Sequence, residues 1–196
     1  MLFLEDIGHE DFIISLLKRI ESEFNVELEI IPRNVRGGCG KMISELKQFL
    51  RDLERSKDIL PDLIVVARDA NCKGVAARER ELDDVVKQSN LDQSIFIYAI
   101  PDPHLERWLL LDSHAFKLVL GRGCQAPDLK CDRNRYKKLL REAVRNAGVQ
   151  PLLGGLEYTD EIVAAMDLDR VKGVDHSLGR FIGELRARFK RWQIQE

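Results

Sequence analysis

Four oxygen-bearing side chains fall in two short pairs, Glu5 with Glu10 and Asp69 with Asn71. The second pair follows the continuously apolar, β-branched run 63–67, which reads as a strand buried on both faces of a parallel sheet. In open α/β sheets chemistry gathers outside the carboxyl ends of the strands. On extended backbone, residues two apart point the same way, so Asp69 and Asn71 could offer two oxygens to one hard cation such as Mg²⁺. If the first strand ends at Glu5 in the same sheet, its acids reach the same edge. Carboxylates crowded in a polar cleft repel one another, and a divalent cation is the usual remedy. The same residues have a plainer reading, in which Glu5 and Glu10 favour the positive N-terminus of the first helix and Asp69 caps the third. Spacing alone leaves both open.

The elements that must position these residues can be read in order. Residues 2–5 predict a short strand, followed by a helix with Ile13, Leu16, Leu17, Ile20 and Phe24 on one face. The partly alternating segment 26–31, bounded by Pro32, predicts the second strand. A basic glycine-rich loop, 33–41, leads into a helix bearing Ile43, Leu46, Leu50 and Leu53, and Pro61 and Asp62 introduce the central strand. A thinly amphipathic crossover helix over 75–89 precedes a fourth strand over 94–100, which ends at Pro101, and a helix starts at His104. The order β-α-β-α-β-α-β-α with right-handed crossovers predicts a mostly parallel sheet of about four strands with helices on both sides. From 112 onward no strand is evident. Helices are expected near 113–120, over 133–147, from Thr159, and along a final stretch with Leu178, Phe181, Ile182, Leu185, Phe189 and Trp192. This gives an α/β core over 1–111 and an all-helical extension over 112–196 packed on it.

Three other features invite chemistry. Gly38, Gly40 and Lys41 ahead of a helix suggest a phosphate loop, but Val35 and Met42 break the Walker pattern. Arg36 and Lys41 could still hold a phosphate beside exposed amides, and a solvated turn explains the glycines equally well. Lys130, Arg133, Arg135, Lys137, Lys138, Arg141 and Arg145 face only Asp132 and Glu142 over 130–145, a patch able to neutralise backbone phosphates or simply a solvated face. Phe189 and Trp192 fit an apolar stripe better than a base-stacking platform. The four histidines include no His-x-x-x-His pair; His9 beside Glu10 reads as a helix-start residue or a contact to phosphate or metal.

The formal net charge of -2 excludes a global basic field, so any nucleic-acid contact must be local. With 44% hydrophobic and 33% charged residues the chain has the composition of an ordinary globular protein rather than a disordered one. No apolar run approaches the ~18 residues of a membrane span, and the first residues lack a signal peptide's basic and apolar regions; the expected location is the cytoplasm. Cys39, Cys72, Cys124 and Cys131 form no CxxC pair, so they read as reduced thiols.

Phe-Leu-Glu5-Asp-Ile-Gly-His-Glu10, Val-Val-Ala-Arg-Asp69-Ala-Asn71 and Ile-Pro-Asp-Pro-His-Leu-Glu106-Arg-Trp-Leu-Leu-Leu-Asp together resemble a Toprim domain. The nearest likeness is to small stand-alone Toprim-like proteins of bacterial defence operons, related to the catalytic domain of OLD (overcoming lysogenisation defect) nucleases. Arg36-Gly-Gly-Cys-Gly-Lys41 and Met166-Asp-Leu-Asp-Arg-Val-Lys172 extend it more weakly. The resemblance implies a nuclease using Mg²⁺ or Mn²⁺. Glu5, Asp69 and Asn71 would hold the principal metal, Glu10 and Glu106 would hold or orient a second, and Lys41 or Lys172 would contact phosphate. Catalysis would then rest on Glu5, Asp69, Glu106 and Lys172, with Arg36 and Lys41 at phosphate; the basic run read from charge adds Arg135, Lys137 and Lys138 as nucleic-acid contacts, DNA ahead of RNA. It further implies an ABC- or AAA-type ATPase partner, anti-phage defence, no membrane, and a homo- or hetero-oligomer. Two details depart from the pattern: Asp6 replaces the glycine that usually follows the first glutamate, with Glu10 one residue further along than the common spacing, and Asn71 replaces the second acid. Asn71 can ligate through its amide oxygen but adds no charge. A catalytically impaired subunit that binds nucleic acid or the ATPase is the competing expectation.

Overall fold

The computed structural model describes residues 1–36, 40–56, 60–132 and 134–195. Residues 37–39 of the glycine-rich loop and Arg133 of the basic run lie outside the described residues. The opening apolar run forms β1 (Leu2–Leu4), which is fully buried. Asp6 starts α1 (Ile7–Phe24) by accepting the His9 backbone N–H at 3.1 Å. The helix stops at Asn25, whose φ of 51° is left-handed, a region Asn tolerates better than most residues.

The second strand is β2 (Pro32–Asn34) rather than 26–31. Residues 26–31 do alternate between half-buried and exposed, but pairing with β1 begins only where the Ile31 carbonyl accepts the Leu2 N–H at 2.9 Å. Pro32 is tolerated because β2 lies at the sheet edge, where a missing N–H on the open side costs no ladder bond. The chain continues through α2 (Met42–Arg55), β3 (Ile64–Ala67), α3 (Val75–Val86), β4 (Phe96–Ala99) and α4 (Leu105–Leu109).

The strand order is β2-β1-β3-β4 and every pairing is parallel. From β1 the chain moves outward to β2, then crosses back to β3 on the other side, so the direction of winding switches between β1 and β3. Open α/β sheets leave a crevice at such a point. The register aligns Leu4 with Ala67 and Ala67 with Ala99, which brings the residues that follow all three strands to one edge. One sheet face, with Leu2, Leu4, Val65 and Ala67, packs on α1; the other, with Phe3, Ile64 and Val66, packs on α2 and α3. That split is the two-sided cover expected for continuous apolar strands.

The helical extension comprises α5 (Ser113–Leu120), α6 (Arg135–Asn146), α7 (Thr159–Ala165), α8 (Leu168–Val174) and α9 (His176–Gln195). Its residues Leu140, Val163, Leu178 and Phe181 share a core with α1 and that helix's sheet face. Phe189 is fully buried in the same core, so it is not a base-stacking platform. The single helix expected from Thr159 is two, because Asp167 leaves the helical conformation and caps α8 through the Arg170 N–H. The motif helix α4 is clamped from both ends. Arg107 pairs with Asp175 while Trp108 Nε1 donates to Ser177 Oγ at 2.9 Å, and Asp112, 1% exposed, accepts the N–H groups of His114, Ala115 and Asp167 and pairs with Arg170.

The thiol expectation is corrected at one pair: Cys72 and Cys131, 59 residues apart, are joined as a disulfide with a Cα separation of 5.4 Å. Spacing could not reveal it, since the two meet only through the fold. Cys124 is free. Among the described residues no helix is long and apolar enough to cross a membrane.

Candidate functional site

Two further acids, Glu5 and Glu106, feel the negative charge of Asp69 at the switch-point edge. Glu5 follows β1 directly and its Oε2 accepts the backbone N–H of Asp69 at 2.9 Å, tying the two strand ends together. Asp69 follows β3, and Glu106 sits in the first turn of α4 beyond β4. Asp69 is the hub. Its Oδ2 lies 3.0 Å from His104 Nδ1, its Oδ1 accepts the Leu105 N–H at 3.0 Å, and His9 Nε2 stands 3.2 Å from the same oxygen, close enough for an ion pair but off the hydrogen-bond direction. His9 Nδ1 in turn meets Asp6 Oδ1 at 2.8 Å. The result is a chain Asp6, His9, Asp69, His104 across the strand ends. Asp69 does cap a helix, as the plainer reading holds, but the helix is α4; the N-cap of α3 is Gly74.

The electrostatics follow from burial and these contacts. Burial alone would lower His9, yet Asp6 and Asp69 outweigh it and push the imidazole up to about 10, so it is a buried cation at neutral pH. Burial would raise Asp69, but His104 and His9 hold it well below the usual carboxylate range. The bond to Asp69 raises His104 against the effect of burial. Glu5 and Glu106 are both pushed up, first by burial and then by the negative charge of Asp69. Glu106 Oε2 is buried without a hydrogen-bond partner, and its other oxygen lies 3.7 Å from Lys137 Nζ on α6. The helical extension thus contributes a cation to the edge.

The remaining expected residues lie differently. Asn71 does not share an extended face with Asp69, because the strand ends at Ala67, Ala70 is helical, and Asn71 itself is left-handed at φ 51°. Its Nδ2 lies 3.3 Å from the Asp69 carbonyl, and its N–H donates to Pro103 O at 2.9 Å. Glu10 is engaged by Asn34 Nδ2 at the end of β2. Arg36 and Lys41 are exposed beyond β2, with Lys41 at the uncapped start of α2. Arg135 pairs with Asp128 and lies over the Tyr136 ring, Lys138 is exposed, and Lys172 is exposed on α8. Among the described residues no three His, Cys, Asp or Glu side chains are grouped to hold a metal ion.

Two groups of site residues escaped the sequence reading. His104 stands where β4 ends, so the same edge argument that selected Asp69 could have selected it. The second is a basic bank on the α3 side of the edge: Glu81 receives Arg68 at 3.1 Å, Arg78 at 2.8 Å and Lys73 at 2.7 Å, and although burial opposes it, Lys73 and Arg78 hold it down to about 2. No short motif marks that cluster.

A family model described as a domain of unknown function, DUF4276, matches residues 4–186, and the chain belongs to that family. No curated protein and no solved structure matches it.

Proposed function

We propose that this DUF4276 member is a Toprim-like nuclease that hydrolyses phosphodiester bonds of DNA or RNA with Mg²⁺ or Mn²⁺, acting as an anti-phage effector beside an ATPase. The α/β architecture, a small parallel sheet flanked by helices, is compatible with a Toprim-like protein. The observation that carries the reading is that Glu5 and Glu106, at one strand edge, are each raised in proton affinity by burial first and then by the charge of Asp69. The donor chemistry suits a hard cation: Glu106 Oε2 is buried and unpartnered, and a divalent ion would offset both the burial and the charge of Asp69 that raise Glu5 and Glu106. Glu5, Asp69 and Glu106 would hold it, and such an ion supplies Lewis-acid stabilisation and an activated water.

The chain's own residues provide the rest. Glu5 fixes the Asp69 backbone, and the Asp6–His9 pair holds Asp69 in place. His104, fixed through Nδ1, can carry a proton on Nε2 for a departing oxygen. Lys137, with Arg36 and Lys41 across the edge, would neutralise backbone phosphates. The neutral Asn71, whose amide is spent on the Asp69 carbonyl, and the hold of two imidazoles on Asp69 favour a second reading, a Toprim-like subunit that binds nucleic acid or the ATPase without cleaving.

The two separate in one assay. Plasmid, single-stranded DNA and RNA are incubated with the protein and any co-purifying ATPase in Mg²⁺ or Mn²⁺, comparing wild type with Asp69→Ala. Cleavage lost in the variant is the expected result. Cleavage that survives Asp69→Ala removes this site from the chemistry, and binding without cleavage of any substrate favours the second reading.

A further inference from the structure

Between α5 and α6 the segment 121–132 runs without regular secondary structure. Its far end is held in two ways. The buried Tyr136 turns its hydroxyl back onto it, accepting the Lys130 N–H at 2.8 Å and lying 2.7 Å from Lys130 O. Then Cys131 is bonded to Cys72, in the turn Asn71–Lys73 that follows Asp69. The same corner carries the site: the Tyr136 ring lies 6.1 Å from the His104 ring, and the next residue, Lys137, reaches Glu106. Both joined cysteines are exposed, open to oxidant and reductant alike.

We propose that Cys72 and Cys131 form a reversible redox link that fastens the end of segment 121–132 to the turn beside the strand-edge site, so that the state of the two thiols sets how freely this end moves next to the site. The Cα separation of 5.4 Å lies within the span a disulfide bridges. Exposure makes a disulfide more oxidising and more readily reduced, the property of labile and regulatory links. Neither cysteine belongs to either apolar core, so the fold does not depend on the bond for its packing. With a peroxide as oxidant, one thiolate attacks a peroxide oxygen and expels hydroxide, which takes up a proton, leaving a sulfenic acid. The second thiol's sulfur then displaces water from it, so two thiols and one peroxide give one disulfide and two waters. A dithiol reverses the step by exchange. In the reduced state Tyr136 and the ion pairs of Asp128 with Lys130 and Arg135 still hold the segment's end.

The link stands independently of what the site does; only its consequence for substrate access rests on the phosphodiester reading. The test uses the full chain treated with hydrogen peroxide or with dithiothreitol. Of the four cysteines in the chain, two should resist alkylation after peroxide, with a Cys72–Cys131 linked peptide found after digestion. Reduction should speed amide hydrogen exchange across 121–132 and lower the melting temperature by roughly 10 °C, the scale expected for opening a loop of this length. Cys131→Ser should behave as the reduced protein under both treatments, and Cys124→Ser as wild type. The proposal is overturned if Cys72 and Cys131 stay alkylatable after peroxide, or if exchange in 121–132 is the same in both states. Nuclease assays on the same two samples decide the function separately: no cleavage in either state, with the link demonstrated, counts against the nuclease reading alone.

Discussion

Replacing Arg107 by Met should be among the most damaging single changes outside the apolar core. Arg107 and Asp175 are 7% and 5% exposed and pair across the contact between α4 and α9, while Asp175 also accepts from Ser177 Oγ at 2.6 Å and the Leu178 N–H at 2.8 Å. Met keeps much of the volume but strands a buried carboxylate. Removing one member of such a pair costs ~3 to 5 kcal/mol, whereas removing both charges is far milder. For a chain of this size that corresponds to a melting-temperature fall of about 10 °C. Urea unfolding followed by fluorescence is well placed to read it, because Trp108 shares the network through Ser177. Arg107→Met should lower stability by that amount, and Arg107→Met with Asp175→Asn should recover most of it. A loss under ~1 kcal/mol, or a double variant no better than the single, would refute the claim that α4 is positioned by a buried ion pair.

Other outcomes follow from the same contacts. His9, raised to about 10, adds stability that is complete below its unfolded value near 6.5 and lost as pH rises through its folded value. Metal-free wild type should therefore lose stability of the order of a few kcal/mol between neutral pH and pH 10, and His9→Gln should flatten that slope. Gly179→Ala would set a Cβ 2.4 Å from the Lys172 carbonyl oxygen, so α8 and α9 must separate, at ~1 to 3 kcal/mol in denaturant titration. Asp112→Ala removes a carboxylate that caps α5 and holds the Asp167 N–H and Arg170, and should cost ~2 kcal/mol or more by the same measurement. If Lys137 touches phosphate, Lys137→Ala should weaken oligonucleotide binding and reduce the salt slope by about 1.

What the sequence made legible was the sheet edge. Continuous apolar strands must be covered on both faces and parallel strands end together, so Glu5 and Asp69 could be placed at one edge from the residues, while Glu106 entered through the family resemblance. The second strand was misplaced because alternation over 26–31 resembles a paired strand, while the actual pairing depends on which carbonyl reaches Leu2. Asn71 illustrates a different limit: residues two apart share a face only while the strand lasts, and the chain turns after Ala67. His104 and the disulfide were hidden because an imidazole's role and a thiol's partner are set by neighbours 35 and 59 residues away. Lys137 stood out from its basic neighbours only once α6 was seen to reach Glu106.

The central claim is that Glu5, Asp69 and Glu106 form a cation-binding edge. Crystals soaked in Mn²⁺ and measured at its absorption edge test this most directly. The account predicts an anomalous peak bonded to Glu5 and Asp69, with Glu106 in the same cluster. No peak at the strand edge, with Asp69 still held between His9 and His104, would contradict it.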